Sequence, residues 1–133
     1  MILIVDETSE VPIYQQLRDQ IVVAIADGSL DGGDPLPSTR QLAADLGVNF
    51  HTVHKAYDLL RREGFVVLTR RAGALIRPRP DPGSPPPGFV PQWERTARTL
   101  LAEAAAQGVP AAQILDRCSA ILASFTLETG ARP

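Results

Sequence analysis

The chain has 133 residues, with 13 Lys or Arg against 15 Asp or Glu, and a formal net charge of −2. That length holds one domain, or one domain with a small appendage, and excludes most metabolic enzymes that carry their own cofactor domain. The charge is unevenly spread: net −6 from Met1 to Asp34, net +5 from Pro35 to Pro80 and net −1 from Asp81 to Pro133, so the middle third presents a local positive patch in spite of the total.

Ile2 to Val5 is a short apolar run, either a small strand or an extended arm. Pro12 suits a first helical position, where a missing N–H costs nothing. Ile13, Leu17, Ile21, Val22 and Ile25 then recur at spacings of three and four, and Gly28 marks a stop, which predicts a helix from Pro12 to about Asp27. The glycines and prolines of Gly28 to Pro37 predict a loop. Ser38 and Gln41 have the spacing of a capping box, opening a short helix with Leu42 and Leu46 on its apolar edge and Gly47 as its break. Asn49 is a good N-cap for the next helix, whose apolar stripe is Val53, Ala56, Tyr57 and Leu60. Arg61 and Arg62 complement its C-terminal dipole, and Gly64 ends it. Phe65 to Thr69 and Ala74 to Arg77 read as two strands of a hairpin whose tip, Arg70 to Gly73, is basic.

From Pro78 to Pro91 seven of fourteen residues are proline, which predicts an extended, semi-rigid linker. Beyond it, Trp93, Ala97, Leu100, Leu101 and Ala104 form one helical stripe, ended near Gly108. Ile114, Leu115, Cys118, Ile121, Leu122 and Phe125 form another. The expected fold class is α+β, mainly helical. It comprises a winged helix-turn-helix over residues 1–77, a linker over 78–91 and a two-helix dimerisation element over 92–128.

This order has a direct chemical meaning. A short helix braced by the first helix holds the third so that its N-terminal turn projects, and a DNA major groove about 12 Å wide admits one such helix. Phe50, His51, Thr52, Lys55 and Asp58 fall off the apolar stripe and form the groove-facing set. Arg70 and Arg71 at the hairpin tip suit either phosphate or a neighbouring minor groove. No glycine-rich phosphate loop, nucleophile motif or metal signature is present. His51 and His54 lack the further ligands that a metal would need, so no catalytic residue, metal or cofactor is expected. The single cysteine excludes an internal disulfide. With no leader pattern and no apolar run near the ~18 residues of a membrane span, the expectation is a cytoplasmic protein without membrane contact. Each tail helix has an apolar stripe that a two-helix hairpin cannot cover. A second copy is the natural cover, with Trp93, Leu100, Leu101, Ile114, Leu115, Ile121, Leu122 and Phe125 at the interface.

The run Leu36-Pro37-Ser38-Thr39-Arg40-Gln41-Leu42-Ala43, then Leu46-Gly47-Val48-Asn49, Thr52-Val53, Ala56-Tyr57, Leu60 and Glu63-Gly64-Phe65, resembles the DNA-binding domain of GntR-type regulators, as does Pro12 to Leu17. The resemblance spans roughly Val11 to Ile76. The short two-helix tail is similar to the YtrA subfamily, which implies a dimeric repressor on a palindromic operator of double-stranded DNA. It implies DNA contact by Arg40, beside Ser38 and Thr39, at the start of the second helix. It implies polar contacts from Asn49, His51 and Thr52, and a wing including Arg71 and Gly73. The chain departs from the family's pattern at Phe50, where many members carry a basic residue or proline, and at His54, where many carry arginine or another polar residue. Phe50 suits either a thymine methyl or a stabilised helix start. A small-molecule effector is compatible with the tail but not specified by it. The alternative readings are a winged-helix protein-interaction adaptor and an effector-sensing module in which DNA binding is secondary.

Overall fold

The computed structural model describes residues 2–130, with side chains described as far as Phe125. Thr126, Leu127 and Glu128, the last side chains of the expected 92–128 element, lie outside the described ones. Two compact units divide between Arg79 and Pro80.

In the first unit, α1 runs Ile13–Ala26, with Pro12 as its N-cap rather than its first helical residue. The arm before it is extended and is not a strand. Two glutamines of α1 do the work of a partner strand: Gln20 accepts from the Ile4 N–H at 2.9 Å and donates to the Ile4 carbonyl at 2.7 Å, and Gln16 accepts from the Asp6 N–H at 2.8 Å. Leu3 and Val5 thereby pack on the core while Ile2 and Ile4 stay exposed. No basic residue lies in the last turn of α1. Instead the Arg79 guanidinium, more than fifty positions away, donates to the Ile25 and Ala26 carbonyls at 2.7 and 3.0 Å. It supplies the cation that a helix C-terminus favours and satisfies two carbonyls that the helix leaves open.

α2 spans Thr39–Leu46. Ser38 accepts from the Gln41 N–H at 3.1 Å, but only half of the expected box forms, because the Gln41 amide donates to the Asp45 carboxylate at 2.7 Å one turn on. A charged acceptor within the same helix outcompetes a backbone partner. Gly47 ends α2 in the left-handed conformation at φ 68°. α3 spans Phe50–Arg62, and Asn49 caps it by accepting from the His51 N–H at 2.8 Å. β1 (Val66–Thr69) and β2 (Gly73–Ile76) pair antiparallel, with Val66 opposite Ile76 and Thr69 opposite Gly73.

The segment between α1 and α2 is more ordered than its glycines and prolines suggest. Gly33 donates to the Ile76 carbonyl at 2.7 Å, Ile76 to Asp34 at 2.8 Å and Leu36 to Ala74 at 2.9 Å, so the far edge of β2 is covered by the loop. Gly32 makes this possible, since a Cβ there would lie 2.6 Å from the Pro78 Cα.

One apolar cluster holds the unit: Leu17, Ile21 and Ala24 of α1, Leu42 and Ala43 of α2, Val53, Ala56, Tyr57 and Leu60 of α3, and Val66, Ala74 and Ile76 of the hairpin, with Leu30 and Leu36 from the loop. The whole α3 stripe is buried. Each large side chain there is worth about 1.5–3 kcal/mol on burial. The Tyr57 hydroxyl donates to the Pro37 carbonyl at 2.7 Å, tying α3 to the start of α2, and burial pushes the phenol pKa up.

In the second unit, α4 spans Phe89–Ala106 and α5 Ala111–Gly130. α4 begins inside the stretch expected to be linker: Phe89, Val90 and Pro91 are helical. Pro91 is the third helical residue, where the backbone N–H has no intrahelical partner, so proline is tolerated there. No described residue of α4 or α5 is buried. Ala97, Ala104, Ile114, Cys118 and Phe125 are half-buried, whereas Trp93, Leu100, Leu101, Leu115, Ile121 and Leu122 are exposed. No helix of the described residues is long and apolar enough to cross a membrane.

Tyr57→Phe should remove the bond to Pro37 while keeping the ring. The expected loss is about 1 kcal/mol, read as a fall of about 5 °C in the melting temperature. An unchanged melting temperature would show that this tie does not hold α2 on α3.

Candidate nucleic-acid interface

Because α3 buries Val53, Ala56, Tyr57 and Leu60, helical geometry sends His51, Lys55, Asp58 and Arg62 to the opposite side. Asn49, Phe50 and His51 are exposed at the N-terminal turn, and Thr52 is half-buried beside them. The cap bond from Asn49 fixes this turn, so its side chains leave a rigid backbone.

Arg40 comes to the same place from α2. Its guanidinium lies 5.6 Å from the centroid of the Phe50 ring, within cation–π range. The Phe50 ring is also 5.0 Å from that of His51 and 6.1 Å from that of His54. Asp45 is taken up by Gln41. Ser38 is exposed, with its hydroxyl engaged by the Gln41 N–H, and Thr39 is half-buried. The structure thus assembles Arg40, Phe50, His51 and His54 from two helices into one exposed cluster. Among the described residues no group of three or more His, Cys, Asp or Glu side chains converges as metal ligands would.

On the other flank of α3, the Lys55 ammonium lies 4.1 Å from the centre of the Tyr14 ring of α1. Further along, Asp58 accepts from Arg61 at 2.7 Å and from Arg62 at 3.0 Å. Those two arginines hold the Asp58 carboxyl below the usual carboxylate range. The one carboxylate on the outward side of α3 is therefore charge-compensated from its own helix.

At the hairpin tip Arg70, Arg71 and Gly73 are all exposed. Thr69, a residue that the sequence reading passed over, organises the turn. Its hydroxyl accepts from the Ala72 N–H and donates to the Gly73 carbonyl, both at 3.0 Å. A threonine just before a glycine-containing turn is a recognisable local signal of this bond. Gly73 has φ 69°, which glycine adopts without strain. Ala74 and Ile76 anchor the hairpin in the core below.

Residues 13–76 match the family described as bacterial regulatory proteins, gntR family. The chain is 40% identical over 72 residues to the HTH-type transcriptional repressor YtrA of Bacillus subtilis, covering 54% of this chain and 55% of that protein. It is 46% identical over 66 residues to the pyridoxine biosynthesis regulator PdxR of Corynebacterium glutamicum, covering 50% of this chain and 15% of that protein. The chain thus spans about half, or much less, of these curated relatives. In a solved structure, that of YtrA from Sulfolobus acidocaldarius, a GntR-family transcription factor, the similarity extends over 80% of this chain and 99% of the other, with 38% identity and a TM-score of 0.62. These likenesses place the chain in a known group: it belongs to the GntR family of bacterial transcription regulators, in its YtrA-like form, and the residues that match the family model, 13–76, lie in its first unit.

Proposed function

We propose that the chain is a sequence-specific repressor that binds a palindromic operator as a homodimer in the cytoplasm. The observation that carries this reading is the exposed, capped first turn of α3 beside Arg40, on a helix whose opposite stripe is fully buried. In the reading, residues 1–77 form the DNA-binding domain. Asn49, Phe50, His51 and Thr52 enter the major groove, and Ser38, Thr39, Arg40 and Lys55 approach it from its edges. Arg70, Arg71 and Gly73 reach the backbone or the adjacent minor groove.

One α3 reads few base pairs, so two copies about 34 Å apart on one DNA face are needed for useful specificity. The second unit supports a dimer, because eight large apolar side chains among the described residues of α4 and α5 are exposed in a single copy. Trp93, Leu100, Leu101, Ile114, Leu115, Ile121, Leu122 and Phe125 form the interface in this reading. Repression then follows where the operator overlaps a promoter, and a small-molecule effector is accommodated without being required.

Three measurements test the reading. Binding to the DNA upstream of the chain's own gene, followed by gel shift, should weaken roughly a thousandfold between about 50 and about 200 mM salt, as expected when ~6 or more phosphates are neutralised. A flat salt profile would favour the protein-docking alternative. Arg40→Ala should weaken operator binding at least about tenfold while the melting curve stays put. Wild-type affinity would remove Arg40 from the interface. Leu100→Glu alters a side chain that is 66% exposed in the single copy. It should give a folded monomer in sedimentation, with operator affinity down about a hundredfold. A dimer that persists would move the interface elsewhere.

A further inference from the structure

Phe50 is the first residue of α3 and is 37% exposed, yet it does not belong to the apolar cluster that holds the unit. Nor does the helix start need it. The apolar positions that flank an N-cap and steady the chain there are the ones just before the cap and four residues after it. Those positions hold Val48 and Val53, both packed in or against the core. The ring therefore serves neither the core nor the helix-start pair in the single chain.

Its surroundings fix it nonetheless. Arg40 lies over the ring from α2, and His51 and His54 flank it from the next residue and the next turn of α3. The result is a supported ring among cationic and polar groups, on the flank of α3 that faces α2. Base edges in a major groove are donors and acceptors with one exception, the 5-methyl group of thymine.

We propose that Phe50 is a specificity-determining residue that reads a thymine 5-methyl group in each operator half-site. The inference rests on the reading that the first turn of α3 enters the major groove. Removing one methyl from water against the ring is worth about fourfold in affinity, and two half-sites together about fifteenfold.

The test uses duplexes that the full chain enriches from a randomised pool. Each thymine of the enriched half-site is replaced in turn by deoxyuridine, which deletes the methyl and keeps every hydrogen-bonding group. One position per half-site should show the loss, about fourfold when replaced singly and about fifteenfold when replaced in both half-sites. Phe50→Ala should bind the thymine and uracil duplexes equally. Equal wild-type affinity for every thymine and uracil duplex would overturn the proposal, and so would a Phe50→Ala protein that keeps the preference. The wild-type series decides the matter even if the variant does not fold. A chain that enriches no sequence at all would instead overturn the operator reading beneath it.

Discussion

The structure of the first unit turns on one requirement: a helix must bury one side completely while its first turn stays in water. α3 meets it through Val53, Ala56, Tyr57 and Leu60, closed over by Leu17 and Ile21 of α1 and by Leu42 and Ala43 of α2. Burial alone would allow α2 and α3 to slide on each other, because apolar contact is non-directional. The Tyr57 hydroxyl removes that freedom by holding the Pro37 carbonyl, one residue before the cap of α2. The same tie brings Arg40 to the flank of α3 where Phe50 and His54 lie. Core packing and the composition of the exposed cluster are thus set by one arrangement.

The distribution of charge becomes intelligible in the same terms. In the strongly acidic N-terminal segment, several carboxylates are engaged locally. Asp6 accepts from the Thr8 side chain and backbone, and Asp27 from those of Ser29, and these hydrogen bonds hold both carboxyls below their ordinary pKa. Asp19 is shared by Gln15 and Arg18, and Arg18 also pairs with Glu63 of α3's C-cap. On α3 itself Asp58 is matched by two arginines. Arg40 and the arginines of the hairpin tip lie outside these pairs. With Glu63 and Asp58 paired to arginines, a chain of formal charge −2 keeps positive charge at the proposed interface.

The two-helix tail poses the opposite problem from α3. Its helices keep alanines, Ile114, Cys118 and Phe125 half-buried, but leave leucines and a tryptophan in solvent. A pair of helices in which no described residue is buried is not a self-sufficient core, since a single hairpin has only one inner seam. That shortfall is the physical reason for proposing the tail as half of an assembly.

Much of this was readable from residue order. Helix periodicity, the caps Ser38 and Asn49, the glycines Gly47 and Gly64 and the strand-forming run after Phe65 are local signals, and they set the elements to within a few residues. The outward-facing set of α3 followed from the stripe, because a helix with one buried side has its other side determined. Other features depended on which distant groups meet. The Gln41 side chain turned to Asp45, and Pro91 joined a helix rather than a linker because the first turn does not use its N–H. Arg79 capped α1 from beyond the hairpin, the glycine-rich loop became a sheet edge, and Lys55 lay on Tyr14. The sequence by itself determined the elements and the exposed side of α3, because both follow from spacing along one chain. Only tertiary structure decided that Arg40 joins Phe50, His51 and His54 of α3, because a cation–π contact between two helices depends on how they pack and not on any period within either.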